Sequence, residues 1–187
     1  SSLYPKEISS ELLDFITSEE RIAPHFHISL QSGSNRILSL MGREYRVEEY
    51  MELVEKIVSR RTLSAIGTDI IVGFPTEEDE DFIQTYTVLE NLPIAYMHIF
   101  PYSDRPFTKA SKMEGKVLSS IKEERVRLLR ELDKKKREVF RKANTGREVR
   151  AVVLEEGRLL TENYIEVEVK GCREVGKITR ITLIYVG

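Results

Sequence analysis

Short apolar runs along the chain alternate with longer stretches in which apolar residues recur at helical spacing. Leu12, Leu13 and Ile16 follow Ser9 and Ser10, either of which can cap a helix that stops before Pro24. Asn35 to Met41 places Ile37, Leu38 and Met41 on one face, with Ser34 as cap and Gly42 as terminator. Val47 to Arg60 carries a stripe of Tyr50, Val54, Ile57 and Val58. A further helix is predicted after the acidic cap region Thr76-Glu77-Glu78-Asp79, running to about Asn91 before Pro93 forbids its continuation. The longest helix is predicted from Ser119 or Ser120 to about Ala143, with Leu128, Leu132, Val139 and Phe140 on its buried side.

Between these helices lie three strand-like runs. His25-Phe26-His27-Ile28-Ser29-Leu30 breaks into Gln31-Ser32-Gly33-Ser34. Ala65–Val72 is almost continuously apolar, the pattern of a parallel strand covered on both faces, and it ends in Gly73-Phe74-Pro75. Ala95–Tyr102 runs into the turn-rich Ser103-Asp104-Arg105-Pro106-Phe107-Thr108-Lys109. The alternation predicts an α/β fold of parallel strands with helical crossovers, and the polar residues gather at the carboxyl ends, where such folds bind ligands. Three strands are too few to close a barrel, so a partial (β/α) barrel is expected.

Past Asn144-Thr145-Gly146 the period changes from helical to alternating. Strands are predicted at Val149–Val153, Tyr164–Val169 and Ile178–Val186, in a segment short enough for a small β-barrel. The expected division is 1–145 for the α/β body and 146–187 for the β segment.

Composition changes this picture in two places. The net charge of −2 conceals a basic stretch, because Lys116–Arg150 holds 13 Lys and Arg against 6 Asp and Glu. Such a run is either a solvated face or a surface for phosphates, since clustered cations release counterions from nucleic acid. The single cysteine, Cys172, excludes an intramolecular disulfide and any multi-cysteine metal or iron–sulfur site made by this chain alone. No apolar run approaches bilayer length and no secretory pattern is visible, so a cytoplasmic location without a membrane partner is expected. His25, His27 and His98 show none of the helical spacings of metal motifs and are read as hydrogen-bonded structural residues, with no metal site expected.

Taken together and in order, HFHISLQSGSNRILSLMGREY, IGTDIIVGFPTEEDEDFIQTY and MHIFPYSDRPFTKA resemble the radical S-adenosylmethionine methylthiotransferases. The last segment is similar to the small RNA-binding TRAM barrel of that family. The resemblance covers nearly the whole chain and is greatest to the branch that methylthiolates N6-threonylcarbamoyladenosine in tRNA. The branches acting on isopentenyladenosine and on a ribosomal protein are the alternatives inside the family. Outside it, the alternatives are a non-catalytic RNA-binding module and an unrelated partial-barrel hydrolase.

The resemblance implies S-adenosylmethionine and two [4Fe–4S] clusters in the intact enzyme, which adds a methylthio group to C2 of a modified adenosine beside the anticodon. The family's Cys-x-x-x-Cys-x-x-Cys motif and N-terminal domain have no counterpart here, so this is expected to be a C-terminal portion, inactive alone. Its partners would be tRNA and the missing N-terminal part. Two family glycines are replaced, by Thr76 in GFPTEE and by Phe107 in RPFT.

Gln31 is a candidate for the ribose hydroxyls of S-adenosylmethionine, or alternatively a tie to neighbouring backbone. Ser32, Gly33 and Ser34 lie at a predicted helix N-terminus, where their N–H groups are candidates for the methionine carboxylate or simply cap the helix. Asp69 interrupts an apolar run and needs a partner. Gly73 is a candidate for close approach to adenine or simply makes a tight turn, and Tyr102 is a candidate for stacking beside adenine or the substrate base, or packs in the core. Candidate tRNA contacts are Arg43, Arg105, Lys109, Arg158, Tyr164, Lys170 and Arg173, with Tyr164 proposed to stack on a base or fill the barrel core.

Overall fold

A computed structural model describes residues 2–169, 171 and 174–184. Helix α1 (Ser10–Ser18) is capped by Ser9, whose hydroxyl accepts from the Leu12 N–H. Strand β1 (His25–His27) leads to α2 (Asn35–Leu40) and α3 (Val47–Arg60). Strand β2 (Ala65–Val72), α4 (Asp79–Asn91) and β3 (Tyr96–Pro101) follow, and α5 (Ser119–Ala143) closes the body. The predicted helices and parallel strands are present with small shifts at their ends. At α4 the cap is Glu78, inside the predicted cap region, and the Asp81 carboxylate accepts from the Glu78 N–H.

The three strands form one parallel sheet in the order β1-β2-β3. Leu3 adds a parallel bridge to Ile28 outside β1. Register sets Asp69 of β2 opposite His98 of β3, and Gly67 opposite both His27 and Tyr96. One sheet face is sealed by α1, α3 and α4, whose Leu13, Tyr50, Val54, Ile57 and Leu89 pack with Ile28, Ile66 and Ile70. Helix α5 meets β3 through the Met97 N–H, which donates to Asp133 at 2.6 Å, and through Arg137, whose guanidinium lies over the Tyr96 ring. The buried side of α5 runs through Val126, Leu129 and Leu132, whereas Val139 is 65% exposed. Of the predicted side, Leu132 is buried, Leu128 packs against the core and Phe140 packs against Ala65, Ala95 and Tyr96, so Val139 alone departs from it.

The terminal segment is an antiparallel sheet of β4 (Glu148–Glu155), β5 (Arg158–Thr161), β6 (Glu166–Glu168) and β7 (Ile178–Thr182), in the order β6-β5-β4-β7. Strand β5 was missed in the sequence because only four residues separate the Gly157 turn from the next one. Residues Glu162 to Ile165 form a turn rather than the start of a strand, and Tyr164 adopts a φ of 65° there.

The join between the two sheets is polar as well as apolar. Phe140 packs against Ala65, Ala95 and Tyr96 on one side and against Val149, Ile165 and Leu183 on the other. Buried Asn144 accepts from Asn163 at 2.8 Å and donates to the Phe140 carbonyl at 2.8 Å, while Thr161 donates to Asn163. Among the described residues, no helix is long and apolar enough to cross a membrane.

Candidate functional site

The three trailing ends of β1, β2 and β3 do meet on one rim. A cavity of about 560 Å³ is lined there by Gln31, Asp69, Phe100, Tyr102, Arg105 and Thr108, among others. Gln31 rejoins the sheet after a break in β1: its N–H donates to the Asp69 carbonyl and its own carbonyl accepts from Ile71. It does so at a φ of 69°, a conformation costly for a residue with a Cβ, and its side-chain amide makes no hydrogen bond among the described residues. A half-buried amide held in strained backbone and facing a cavity is free to serve a ligand.

Asp69 finds the partners it requires. The Ser29 hydroxyl donates to Oδ2 at 2.5 Å, and Oδ1 lies 3.0 Å from His27 Nε2 and 3.3 Å from His98 Nδ1. Burial works to raise this carboxyl, but the hydrogen bonds from Ser29 and His27 and the neighbouring imidazoles outweigh it and hold Asp69 below the ordinary carboxylate range. Tyr102 borders the cavity with its edge against Phe74 and donates to Asp104 at 2.9 Å. Burial and the adjacent Asp104 push its phenol upward.

Ser32, Gly33 and Ser34 are a correction. All three backbone donors are already engaged: Ser32 N–H with the Leu30 carbonyl, Gly33 N–H with Thr85 Oγ1, and Ser34 N–H with Ser32 Oγ. The Ser32 and Ser34 side chains are buried against α4, where the Ser34 hydroxyl donates to Asp81. A Cβ on Gly33 would sit 2.5 Å from the Thr85 Cα. These residues dock the loop onto α4 and leave no N–H group for a carboxylate.

Gly73 is also a turn rather than a cofactor cradle. It has a φ of 72°, donates to Glu77 Oε2 at 2.5 Å, and the space a Cβ would fill is held by Lys122. Glu77 in turn meets Arg125 at 2.6 Å in an ion pair with both side chains buried. Burial raises the Glu77 carboxyl despite the opposing Gly73 N–H and Arg125. Thr76 and Phe107 keep the left-handed geometry of the glycines they replace, at φ of 69° and 68°.

The cationic candidates divide sharply. Arg105 lines the cavity mouth and Lys109 is exposed beside it. Arg43 is half-buried, with an Nε that has no hydrogen-bond partner among the described residues. Arg158 is held by Glu155 and Glu166, which neutralise it and remove the reason for assigning it to phosphates. Tyr164 neither fills a barrel core nor stands free for a base: its ring lies on His25 and against Tyr96. Lys170, Arg173 and Cys172 lie outside the described residues. On α5, Arg127, Arg137 and Lys142 are paired with acidic neighbours, while Arg130, Lys134, Lys135 and Arg141 are exposed without a carboxylate partner among the described residues.

Two features escaped the sequence reading. Phe107 is 99% exposed at the rim, an unusual position for an aromatic ring. The convergence of His27, Asp69 and His98 depends on pairing across three strands, and only the register of Asp69 against its neighbours could have signalled it.

A profile of the radical SAM superfamily matches residues 7–89. The E. coli coproporphyrinogen III oxidase HemN, described as a radical SAM enzyme, superposes on 72% of this chain and 31% of its own with a TM-score of 0.61 at 19% identity, which shows a shared fold. The chain belongs to the radical SAM superfamily.

Within the superfamily it belongs to the methylthiotransferases. It is 62% identical to the threonylcarbamoyladenosine tRNA methylthiotransferase MtaB of Aquifex aeolicus over 98% of this chain and 45% of that protein. Identity to the Bacillus subtilis protein of the same name is 33%, over 100% of this chain and 44% of that one. It is 36% identical to the tRNA-2-methylthio-N(6)-dimethylallyladenosine synthase of A. aeolicus, over 97% and 42%. The chain thus spans less than half the length of these relatives.

Membership implies S-adenosylmethionine and an iron–sulfur cluster. The rim fits the first: it offers an unengaged amide, a carboxylate and an aromatic ring around one cavity. The second finds no ligand set here, because the chain has a single cysteine.

Proposed function

We propose that this chain is the cofactor-rim and RNA-binding portion of a tRNA methylthiotransferase that acts at C2 of N6-threonylcarbamoyladenosine beside the anticodon. The observation that carries the proposal is the single cavity bounded by Gln31, Asp69 and Tyr102 at the carboxyl edge of the parallel sheet. When bound, S-adenosylmethionine and two [4Fe–4S] clusters supply the radical and sulfur chemistry, and the cluster cysteines lie outside this sequence.

The work of this chain is binding and orientation. The Gln31 amide is suited to a ribose diol, able to donate to one hydroxyl and accept from the other. Asp69, locked by Ser29 and two imidazoles, presents fixed negative charge beside it. Tyr102 gives a flat wall for a purine, braced by Phe74 and by two lysine ammonium groups 5.5 Å from its ring. The rim contributes positioning and water exclusion.

For tRNA, Arg105 and Lys109 stand at the rim, half-buried Arg43 is a further candidate, and Arg130, Lys134, Lys135 and Arg141 extend a cationic face along α5. Exposed Phe107 is a stacking platform for an unpaired base. The antiparallel sheet of β4 to β7 stands where a TRAM-like barrel would lie in the intact enzyme, and its apolar side chains Val149, Ile165 and Leu183 pack against Phe140 of α5.

The test is nucleoside analysis by mass spectrometry of tRNA modified by the longer protein that contains this chain, with its clusters reconstituted. Gln31→Ala and Asp69→Asn are expected to abolish or strongly reduce the 2-methylthio product while the clusters still assemble. Full product from both variants would overturn the proposal.

A further inference from the structure

We propose that His27, Asp69 and His98 form a site for a single divalent transition-metal ion of the zinc type, on the sheet face beside the rim cavity. Their ligand atoms all lie within 4.8 Å of one another. His27 Nε2 and His98 Nδ1 stand 3.0 and 3.3 Å from the same oxygen, Asp69 Oδ1. In a four- to six-coordinate ion with bonds of about 2.0–2.2 Å, adjacent ligand atoms are about 3.0–3.5 Å apart. Two of the three edges of such a polyhedron therefore already exist, without movement of the backbone.

The surroundings carry the inference further than the distances alone. A metal-bound imidazole characteristically gives its other nitrogen to a fixed outer partner. His27 does this: Nδ1 lies 3.0 Å from the Tyr96 hydroxyl, which lies 2.8 Å from His25 Nε2. A hydroxyl has one proton, so it donates to one imidazole and accepts from the other. When His27 Nδ1–H donates to Tyr96, the hydroxyl donates onward to His25 and His27 Nε2 is left as a bare lone pair facing a carboxylate. Two acceptors at that separation call for a cation between them. In the opposite polarity His27 Nε2–H donates to Asp69 and the site is empty. Loading thus needs only a tautomer exchange along His27, Tyr96 and His25.

The remaining ligand positions are held as tightly. Ser29 fixes Asp69 through Oδ2, which leaves Oδ1 for the ion. The His98 side chain is 50% exposed, so the ion enters from the open face, and water completes its shell. Mixed imidazole and carboxylate donors select a borderline first-row ion over magnesium or calcium.

The experiment is a titration of the chain with Co²⁺, followed by its visible absorption, with Zn²⁺ as competitor. The chain holds three histidines and one cysteine, so few rival sites exist. The expected result is one saturable equivalent that Zn²⁺ displaces. It is expected to be lost in His98→Gln, which alters an exposed side chain, and in Asp69→Asn, and to weaken about 10–100-fold in Tyr96→Phe. Absence of saturable binding, or unchanged affinity in His98→Gln and Asp69→Asn, would overturn the proposal. S-adenosylmethionine takes no part in this titration, so its outcome leaves the cofactor reading standing or falling on its own test.

Discussion

Tyr164 lies flat on His25, with ring centroids 4.1 Å apart and planes 6° from parallel. One residue belongs to a turn of the terminal sheet and the other opens β1, so the stack fastens the second sheet to the starting end of the first, away from the rim. The cost is a left-handed backbone at Tyr164, which only a well-made contact can sustain. Tyr164→Ala is expected to destabilise the chain by about 0.5–1.5 kcal/mol beyond the lost area, read by urea denaturation. An unchanged midpoint would show that the stack fastens nothing.

The burial of His25 makes stability depend on pH. His25 is held neutral, its pKa lowered from 6.5 to about 4 chiefly by burial. The unfolded chain therefore binds a proton in that interval which the folded chain refuses, and stability falls as pH drops from about 6.5 towards 4. His25→Phe keeps the ring and removes the titration, so its thermal midpoint is expected to vary less over that window. Equal slopes for the two proteins would contradict the assignment.

Glu77 and Arg125 form a buried pair whose partners cannot be separated cheaply. Arg125→Ala is expected to cost about 3–5 kcal/mol, because it strands a carboxylate in the interior. Replacing both residues by Leu and Met should cost clearly less than the single change. Chemical denaturation of the single and double variants reads both quantities, and a single variant within 1 kcal/mol of the parent, on that same scale, would refute the argument.

Thr76 carries strain of a different origin. A β-branched residue at φ of 69° is out of place, and its partial compensation is the contact of its hydroxyl and carbonyl with Arg36. Thr76→Gly should relieve about 1 kcal/mol of strain, offset in part by the larger entropy of glycine in the unfolded chain. A small rise in the melting temperature is expected; a marked fall would mean that the Arg36 contacts outweigh the strain.

The fold was largely legible because its signals are local. The stripe of Tyr50, Val54 and Ile57, the unbroken run of β2 and the Ser9 and Ser34 caps each specify an element within one turn or strand. Among the candidates, Gln31, Asp69 and Tyr102 were singled out by a loop following a strand or by a lone carboxylate in an apolar run, and the fold brings these three to one cavity. Ser32, Gly33 and Ser34 deceived because a helix N-terminus offers its N–H groups either to a ligand or to the next helix, and Thr85 and Ser32 had already claimed them. Arg158 and Tyr164 deceived for a related reason: charge and aromaticity announce a contact without naming the partner. The His27, Asp69 and His98 cluster was illegible, since three strands must be set in register before it exists.

The most direct measurement is an amide ¹H–¹⁵N titration of this chain with S-adenosylmethionine. The account predicts dose-dependent shifts concentrated at Gln31, Asp69, Phe100 and Tyr102, weakened by Gln31→Ala, with Ser32–Ser34 changing far less. Shifts gathered instead at Tyr96, Arg137 and Tyr164 between the two sheets, or no shifts at any concentration, would contradict it.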